Sequence, residues 1–411
     1  MAKVLRRLAL AAAVLAALLI VSTAIPVRRW RTGEMPVPPL LLMPGGPVVD
    51  VPRRVWIDTD AACGHARTTD PDDCLAILLL ARTPGVELAG ISTVFGNAPL
   101  EVTDRVARDL AALLRAEGVA VPVYRGAPMP AGARKGEGAT DAGGSETPAE
   151  AALAAALEQA LDGAPLTILC LGPLTNLELT LRRHPRLARG VDRLVAVMGR
   201  RPGHLFHPTE GHGAGAILFG HGPVFRDLNL VEDPAAASAI LARRLPTTLV
   251  PYEVARKVSV DSADLDRVAG AGRTGTWVAS RARQWLVFWR EDVGLEGFYP
   301  FDAVAALYVT DPGRFACARV SAAVERDEVL GLVGRVIGRS TGLLVRPFTD
   351  AAAARVLYCP GVDAADIHRL MLERLSRASG GPGAPRSRSG RRPGRPPTGA
   401  DRTAASPGRR G

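Results

Sequence analysis

Short apolar runs alternate with amphipathic stretches along most of the chain. Val55-Trp56-Ile57 leads a strand whose end is crowded by Asp58 and Asp60, and residues 74–81 read as a buried helix just behind Asp70, Asp72 and Asp73. Residues 88–94 are a second strand, running into Phe95-Gly96-Asn97, and residues 100–115 carry apolar positions at helical spacing. A short strand at 121–124, an Ala-rich helix at 149–161 and a strand at 166–171 follow, the last entering Gly172-Pro173-Leu174-Thr175-Asn176 and another helix. Strands are expected again at 194–198 and 247–250, and helices at 276–290 and 301–309. Residues 318–324 and 332–337, joined by a charged turn, predict an antiparallel hairpin at a sheet edge. Strands alternating with helices mean βαβ units. The expected fold is therefore α/β, a mostly parallel, Rossmann-like sheet with flanking helices and a small antiparallel edge hairpin, in one domain over residues 53–375.

The two ends differ from this middle. Residues 1–27 combine Lys3, Arg6 and Arg7 with an apolar run close to the ~20 residues that span a bilayer, which reads as a signal peptide or a signal anchor. Residues 28–52 are Pro-rich and aperiodic, a linker, and residues 376–411 are an Arg/Pro/Gly-rich tail expected to be disordered. The formal charge of +10 sits in these ends: six Lys and Arg against one Glu in residues 1–34, nine Arg against one Asp in the tail. The middle is left about three charges negative, so a nucleic-acid-binding core is not indicated. The expected location is exported or membrane-anchored, outside the cytoplasm rather than within it. Association with a membrane through the N-terminal segment, and with further copies of the chain, is compatible with the sequence. The basic tail is a solvated extension or an adhesive for anionic surfaces. Five sparse cysteines do not make a disulfide framework; Cys74 and Cys170 read as core residues, and Cys63 could pair if the domain is exported.

Chemistry concentrates at the first strand-to-helix junction. Asp58, Asp60, Asp70, Asp72 and Asp73 fall within sixteen residues, at the strand end where open α/β sheets bind ligands. One or two such aspartates would cap a helix. Five would repel one another without a cation among them, and oxygen donors of this kind suit calcium.

In these residues the chain resembles the inosine-uridine preferring nucleoside hydrolase family. The resemblance rests on Asp58-Thr59-Asp60 with Pro71-Asp72-Asp73, on residues 91–97 and 171–177, on Asp227-Leu228-Asn229-Leu230 with Asp233-Pro234, and on Phe301-Asp302-Ala303-Val304-Ala305, in family order. It implies calcium-dependent hydrolysis of the N-glycosidic bond of ribonucleosides. Asp60, Asp73, Asp302 and the Leu171 carbonyl would hold Ca2+, and Asp60 would take the proton of the attacking water. Asp72 and Asn97 would hold the ribose 2′- and 3′-hydroxyls, Asn229 the 5′ side, and Asp227 would reach the ribose in place of a Glu. Asp60, Asn97 and Asn229 are thus the expected catalytic groups, and Asp58 supports them from behind.

Three departures qualify that expectation. Residues 61–69 lengthen the turn between Asp60 and Asp70, so either the loop bulges outward or Asp60 is displaced. Phe301 stands where many members have a His that protonates the leaving base; Trp285, Trp289, Phe298 or Tyr299 could stack on the base instead, or simply fill the core. His221 stands near the position of a ribose-binding Asn, replacing that contact or marking another substrate. His204, His207 and His212 invite a zinc reading, but a substrate-side loop fits their spacing better. The rivals are a haloacid-dehalogenase-like phosphatase, for which the Asp72-Asp73 pair is badly placed, and a tethered nucleoside receptor without turnover.

Overall fold

The computed structural model describes residues 6, 9–17, 40–46, 53–134, 145–202, 227–330, 336–347 and 354–377. A two-residue strand, β1 (Met43–Pro44), precedes β2 (Arg53–Thr59), α1 (Asp72–Ala81), β3 (Val86–Thr93), α2 (Leu100–Ala116) and β4 (Val123–Arg125). Then come α3 (Pro148–Leu161), β5 (Leu166–Cys170), α4 (Thr175–Arg183) and β6 (Val191–Ala196). After residues 203–226 the chain resumes with α5 (Leu228–Glu232), α6 (Pro234–Ala242), β7 (Thr247–Leu249), α7 (Tyr252–Ala255), α8 (Ser262–Ala269), α9 (Gly272–Phe288) and α10 (Phe301–Thr310). It ends in β8 (Phe315–Leu330), β9 (Val336–Pro347), β10 (Ala354–Val362) and α11 (Ala364–Leu375).

The ten strands among the described residues belong to one sheet, in the order β1-β8-β10-β7-β6-β5-β2-β3-β4 with β9 added on β8. From β4 through β7 to β10 the pairings are parallel; β1, β9 and β10 pair antiparallel with β8. The chain winds outward from β2 to β4, then restarts at β5 on the other side of β2. That reversal leaves a crevice at the carboxyl ends of β2 and β5, the place such sheets reserve for ligands.

The central strand is buried on both faces, as a parallel strand between helical layers must be. Val55 and Ile57 pack with α1 on one side, while Trp56 packs with Leu153, Leu157 and Leu177 on the other. The Trp56 ring stacks on Tyr124 at 5.6 Å and donates Nε1–H to Ser92 Oγ at 2.8 Å. Helix α1 has no polar face: residues 72–80 are all buried, because α2, α9, α10 and α11 surround it. Truncating one of its fully buried leucines, such as Leu78→Ala, costs about 2–5 kcal/mol.

Several expectations need correction. The edge hairpin exists, but its second strand is Val336–Pro347 rather than 332–337, and the charged stretch Glu325–Glu328 lies inside β8. Antiparallel edge strands tolerate charge, so charge did not mark a turn there. Helix α9 starts at Gly272 and ends at Phe288, followed by a π-helical turn, Trp289–Val293. Part of the expected linker joins the sheet as β1, and Gly45 accepts a hydrogen bond from Tyr308. Four cysteines pair, as Cys63–Cys74 and Cys317–Cys359, leaving Cys170 buried and free. Cys74 is a core residue and a bonded one, because residues 61–63 fold back onto the first turn of α1. Among the described residues, no helix is long and apolar enough to cross a membrane.

Candidate active site

Seven segments deliver side chains to the crevice. Strand β2 ends in Asp58 and Thr59 and hands on to Asp60; α1 begins with Asp72 and Asp73; the turn after β3 carries Gly96 and Asn97. Leu171 follows β5, Val197 follows β6, Asp227 and Asn229 open α5, and Asp302 lies in the first turn of α10. Asp72, Asn97, Leu171, Val197, Asp227, Asn229 and Asp302 line a cavity of about 370 Å³, and Asp58, Thr59, Asp60 and Asp73 are buried next to them. Its described lining holds Asp70, Asp72, Asp227 and Asp302 and no Lys or Arg.

Asp72, Asp73 and Asp302 are the heart of it. Each is buried, and each offers a carboxylate oxygen within 4.8 Å of the other two. The backbone N–H of Asp302 donates to Asp72 Oδ2 at 2.9 Å, and the Thr59 hydroxyl donates to Asp73 Oδ1. Two helix N-termini, those of α1 and α10, thus converge on the same anions and offset part of their repulsion. Asp60 joins through Asn97, whose backbone N–H donates to Asp60 Oδ2 at 2.8 Å. The Asn97 amide Nδ2 reaches Asp60 Oδ1 at 3.4 Å and Asp73 Oδ2 at 3.2 Å. Gly96 is required for this turn: its φ is +152°, and a Cβ there would fall 2.0 Å from Asp60 Oδ2.

Burial and mutual repulsion push these acids toward their neutral forms. Asp73 is raised to about 7, by desolvation first and the Asp72 charge second. Asp60 and Asp302 rise well above the usual carboxylate range, by burial first and then by the charge of Asp73 on Asp60 and of Asp72 on Asp302. Asp72 is raised by burial despite the N–H of Asp302, and Asp70 by burial and by Asp72. Several acids held this close in a pocket with no basic lining residue fit a divalent cation, which would relieve all of them together. The donors are hard oxygens, which suits Ca2+ or Mg2+ better than zinc.

The trio within mutual reach includes Asp72, expected as a ribose contact, and does not include Asp60, expected as a ligand. The Leu171 carbonyl lies in the pocket and accepts Asn229 Nδ2 at 2.6 Å; the same amide reaches the Val197 carbonyl at 3.0 Å. Asp227 accepts the Gly199 N–H at 2.7 Å and is raised to about 6 by burial. Asp58 faces away from the cavity. It accepts from Ser92 and, at 2.7 Å, from Asn176, keeps one oxygen without a partner, and burial lifts it to about 6. His221 and the His204–His212 segment lie outside the described residues, as does most of the Gly-rich stretch 132–144.

The inserted segment turns outward without carrying Asp60 away. Ala61, Ala62 and Cys63 are buried, His65 to Thr68 are exposed, and Asp60 stays beneath Asn97. Thr68 lines the cavity rim, a contact that the sequence reading missed. Of the aromatic candidates, Trp285 lines the cavity; Trp289, Phe298 and Tyr299 are core, with Trp289 against Tyr299 at 4.7 Å. Phe301 also lines it, stacked on Tyr252 at 5.8 Å. Tyr252 was overlooked. Its signal was its place just past the end of β7, where a crevice residue belongs.

A sheet that reverses direction beside a pocket of clustered acids, with amide groups among them, is an arrangement suited to holding a divalent cation beside a polar ligand. The sequence profile described as "Inosine-uridine preferring nucleoside hydrolase" matches residues 55–367, and the chain belongs to that family, whose reaction is hydrolysis of the N-glycosidic bond of nucleosides. It is 26% identical to uridine nucleosidase 1 of Arabidopsis thaliana, over 69% of this chain and 82% of that one. It is also 26% identical to the pyrimidine-specific ribonucleoside hydrolase RihA of Salmonella typhimurium, over 54% of this chain and 70% of the other. Among solved structures it resembles a plant nucleoside hydrolase, with a TM-score of 0.59, 19% identity, and coverage of 79% and 99% of the two chains.

Proposed function

We propose that this protein is a calcium-dependent nucleoside hydrolase that works outside the cytoplasm. The observation that carries the reading is the convergence of Asp72, Asp73 and Asp302, from two helices far apart in sequence, with Asp60 joined to them through Asn97. Asp73 and Asp302, with Asp60 and the Leu171 carbonyl, hold the ion; Asp72 stands close enough to serve as ligand or as ribose contact. When bound, the divalent cation supplies Lewis acidity toward water and chelation of the ribose diol.

The chain's own groups do the rest. Asp60 takes the proton of the attacking water, and the Asn97 N–H holds its carboxylate in place for that task. Asn97 and Asp72 orient the 2′- and 3′-hydroxyls, and Asn229 and Asp227, which line the same cavity, take the 5′ side of the sugar. Carboxylates around the ring favour the positive charge that builds on the sugar as the bond breaks. Phe301 cannot donate a proton to the departing base; Phe301, Tyr252 and Trp285 offer it aromatic faces instead.

Two disulfides, rare in reducing compartments, support export and agree with the apolar leader. The aromatic at position 301 also favours a second reading, a receptor that grips nucleosides without turnover. Ribose release from a panel of purine and pyrimidine nucleosides, with and without chelator, separates the two. Release lost on chelation and restored by Ca2+ supports the hydrolase; binding without release supports the receptor. The phosphatase alternative finds no support in the family match.

A further inference from the structure

We propose that the Cys63–Cys74 disulfide is a positioning device for the ion site, and that Cys63 and Cys74 set the affinity for the metal rather than merely the stability of the fold. The inference rests on reading Asp72, Asp73 and Asp302 as surrounding a divalent cation. The bond joins the inserted segment to the residue after Asp73, with a sequence separation of only 11. The covalent ring it closes contains Asp70, Asp72 and Asp73. Three mutually repelling carboxylates are therefore tethered from both sides, by α1 on one and by the disulfide on the other.

Ala61 and Cys63 are packed in the core, but the exposed stretch from His65 to Thr68 has few other ties. Arg67 pairs with Glu291 and Asp292, but all three side chains are about half exposed, and exposed pairs contribute little. Gly64, at φ +76°, lies under the Arg281 side chain, and the Ala61 N–H donates to the Thr59 hydroxyl at 3.2 Å. That hydroxyl in turn donates to Asp73, so the segment's buried end is wired to an acid of the trio. Both sulfurs are buried, Cys63 at 1% and Cys74 at 0% exposure. Without the bond, repulsion between Asp70, Asp72 and Asp73 swings the segment outward, and Thr68 leaves the cavity rim with it. The ion must then gather its ligands on binding instead of finding them assembled.

The second disulfide supplies the control. Cys317–Cys359 ties β8 to β10, which β7, β6 and β5 separate from β2 in the sheet. Ca2+ binding to the metal-stripped full chain, followed calorimetrically, is compared between the wild type, Cys63→Ser/Cys74→Ser and Cys317→Ser/Cys359→Ser, with Tm measured alongside. The expected result is at least tenfold weaker Ca2+ binding in the first variant and unchanged binding in the second, although both lower Tm. Saturating Ca2+ should restore most of the first variant's kcat and leave KM for the nucleoside raised, because Thr68 stays displaced. Equal Ca2+ affinity in all three proteins overturns the proposal. Should Cys63→Ser/Cys74→Ser not fold, Cys63→Ala/Cys74→Ala, whose apolar side chains suit these two buried positions, gives the same comparison. A wild type that binds Ca2+ but releases no ribose overturns the hydrolase reading alone; one that binds no Ca2+ overturns both.

Discussion

Asp73 does three things at once: it accepts from Thr59, it accepts from Asn97, and it faces Asp72 and Asp302. Asp73→Asn keeps the shape and removes the charge. It should weaken Ca2+ binding by about 100-fold or more, since losing only an outer partner of a metal ligand already costs about 10–100-fold, with a comparable fall in kcat/KM at limiting calcium. Asp60→Asn makes a different prediction, since Asp60 is proposed both as a ligand and as the base. Calcium binding should weaken, and kcat should stay down by about 10³ even at saturating Ca2+, the signature of a lost base, whereas saturating Ca2+ should restore much of the kcat of Asp73→Asn. Gly96→Ala tests the same carboxylate from the backbone side. With φ at +152° and Asp60 Oδ2 only 2.0 Å from the new methyl, kcat should drop at least as far as in Asp60→Asn, without any titrating group having been changed. Steady-state kinetics at saturating Ca2+ would read both.

Helices and strands explain which of these residues a sequence can reveal. Asp58, Asp60, Asp72 and Asp73 were legible because one strand, one turn and one helix start put them together locally. Asp302, 229 residues beyond Asp73, was placed only through its resemblance to a family motif; nothing in local spacing says that α10 docks on α1. Cys63 was legible as a cysteine able to pair, but its partner was not, for a related reason: Cys74 lies in an apolar run, and only the return path of the 61–63 segment onto the first turn of α1 brings the two together. Cys317–Cys359 needed the pairing of β8 with β10, and β10 lay in a stretch to which no element had been assigned. Tyr252 was missed because β7 is three residues long and its end attracted no attention. This second disulfide carries its own prediction. It closes a loop of 42 residues in sequence separation, for which chain entropy gives about 4 kcal/mol. Cys317→Ser/Cys359→Ser should therefore lower Tm by about 5–10 °C, measured by differential scanning calorimetry.

Across the whole molecule the acid cluster couples stability to pH and to metal. Folding raises Asp58 and Asp227 to about 6 and Asp73 to about 7, from an ordinary value near 4, and raises Asp60, Asp72 and Asp302 as well. The folded state thus binds protons that the unfolded chain has already released. Its stabilisation is complete below the unfolded pKa and is lost as pH rises through the folded values, between about 4 and 7. Metal-free protein should accordingly melt higher at pH 5 than at pH 7.5. His368, raised by its hydrogen bond to Asp264, runs in the same direction, so the bare slope does not isolate the site. Asp366 and Glu101, both lowered, matter only on the acid side of this window. Calcium separates the contributions. At pH 7.5 the acids stand ready as ligands, whereas at pH 5 the ion must displace their protons, so a fixed excess of Ca2+ should raise Tm clearly more at pH 7.5. Asp73→Asn should abolish most of that increment and leave the His368 part of the slope intact. A calcium increment equal at both pH values would mean that the ion displaces no protons from these carboxylates, and that it binds somewhere other than where α1 and α10 converge.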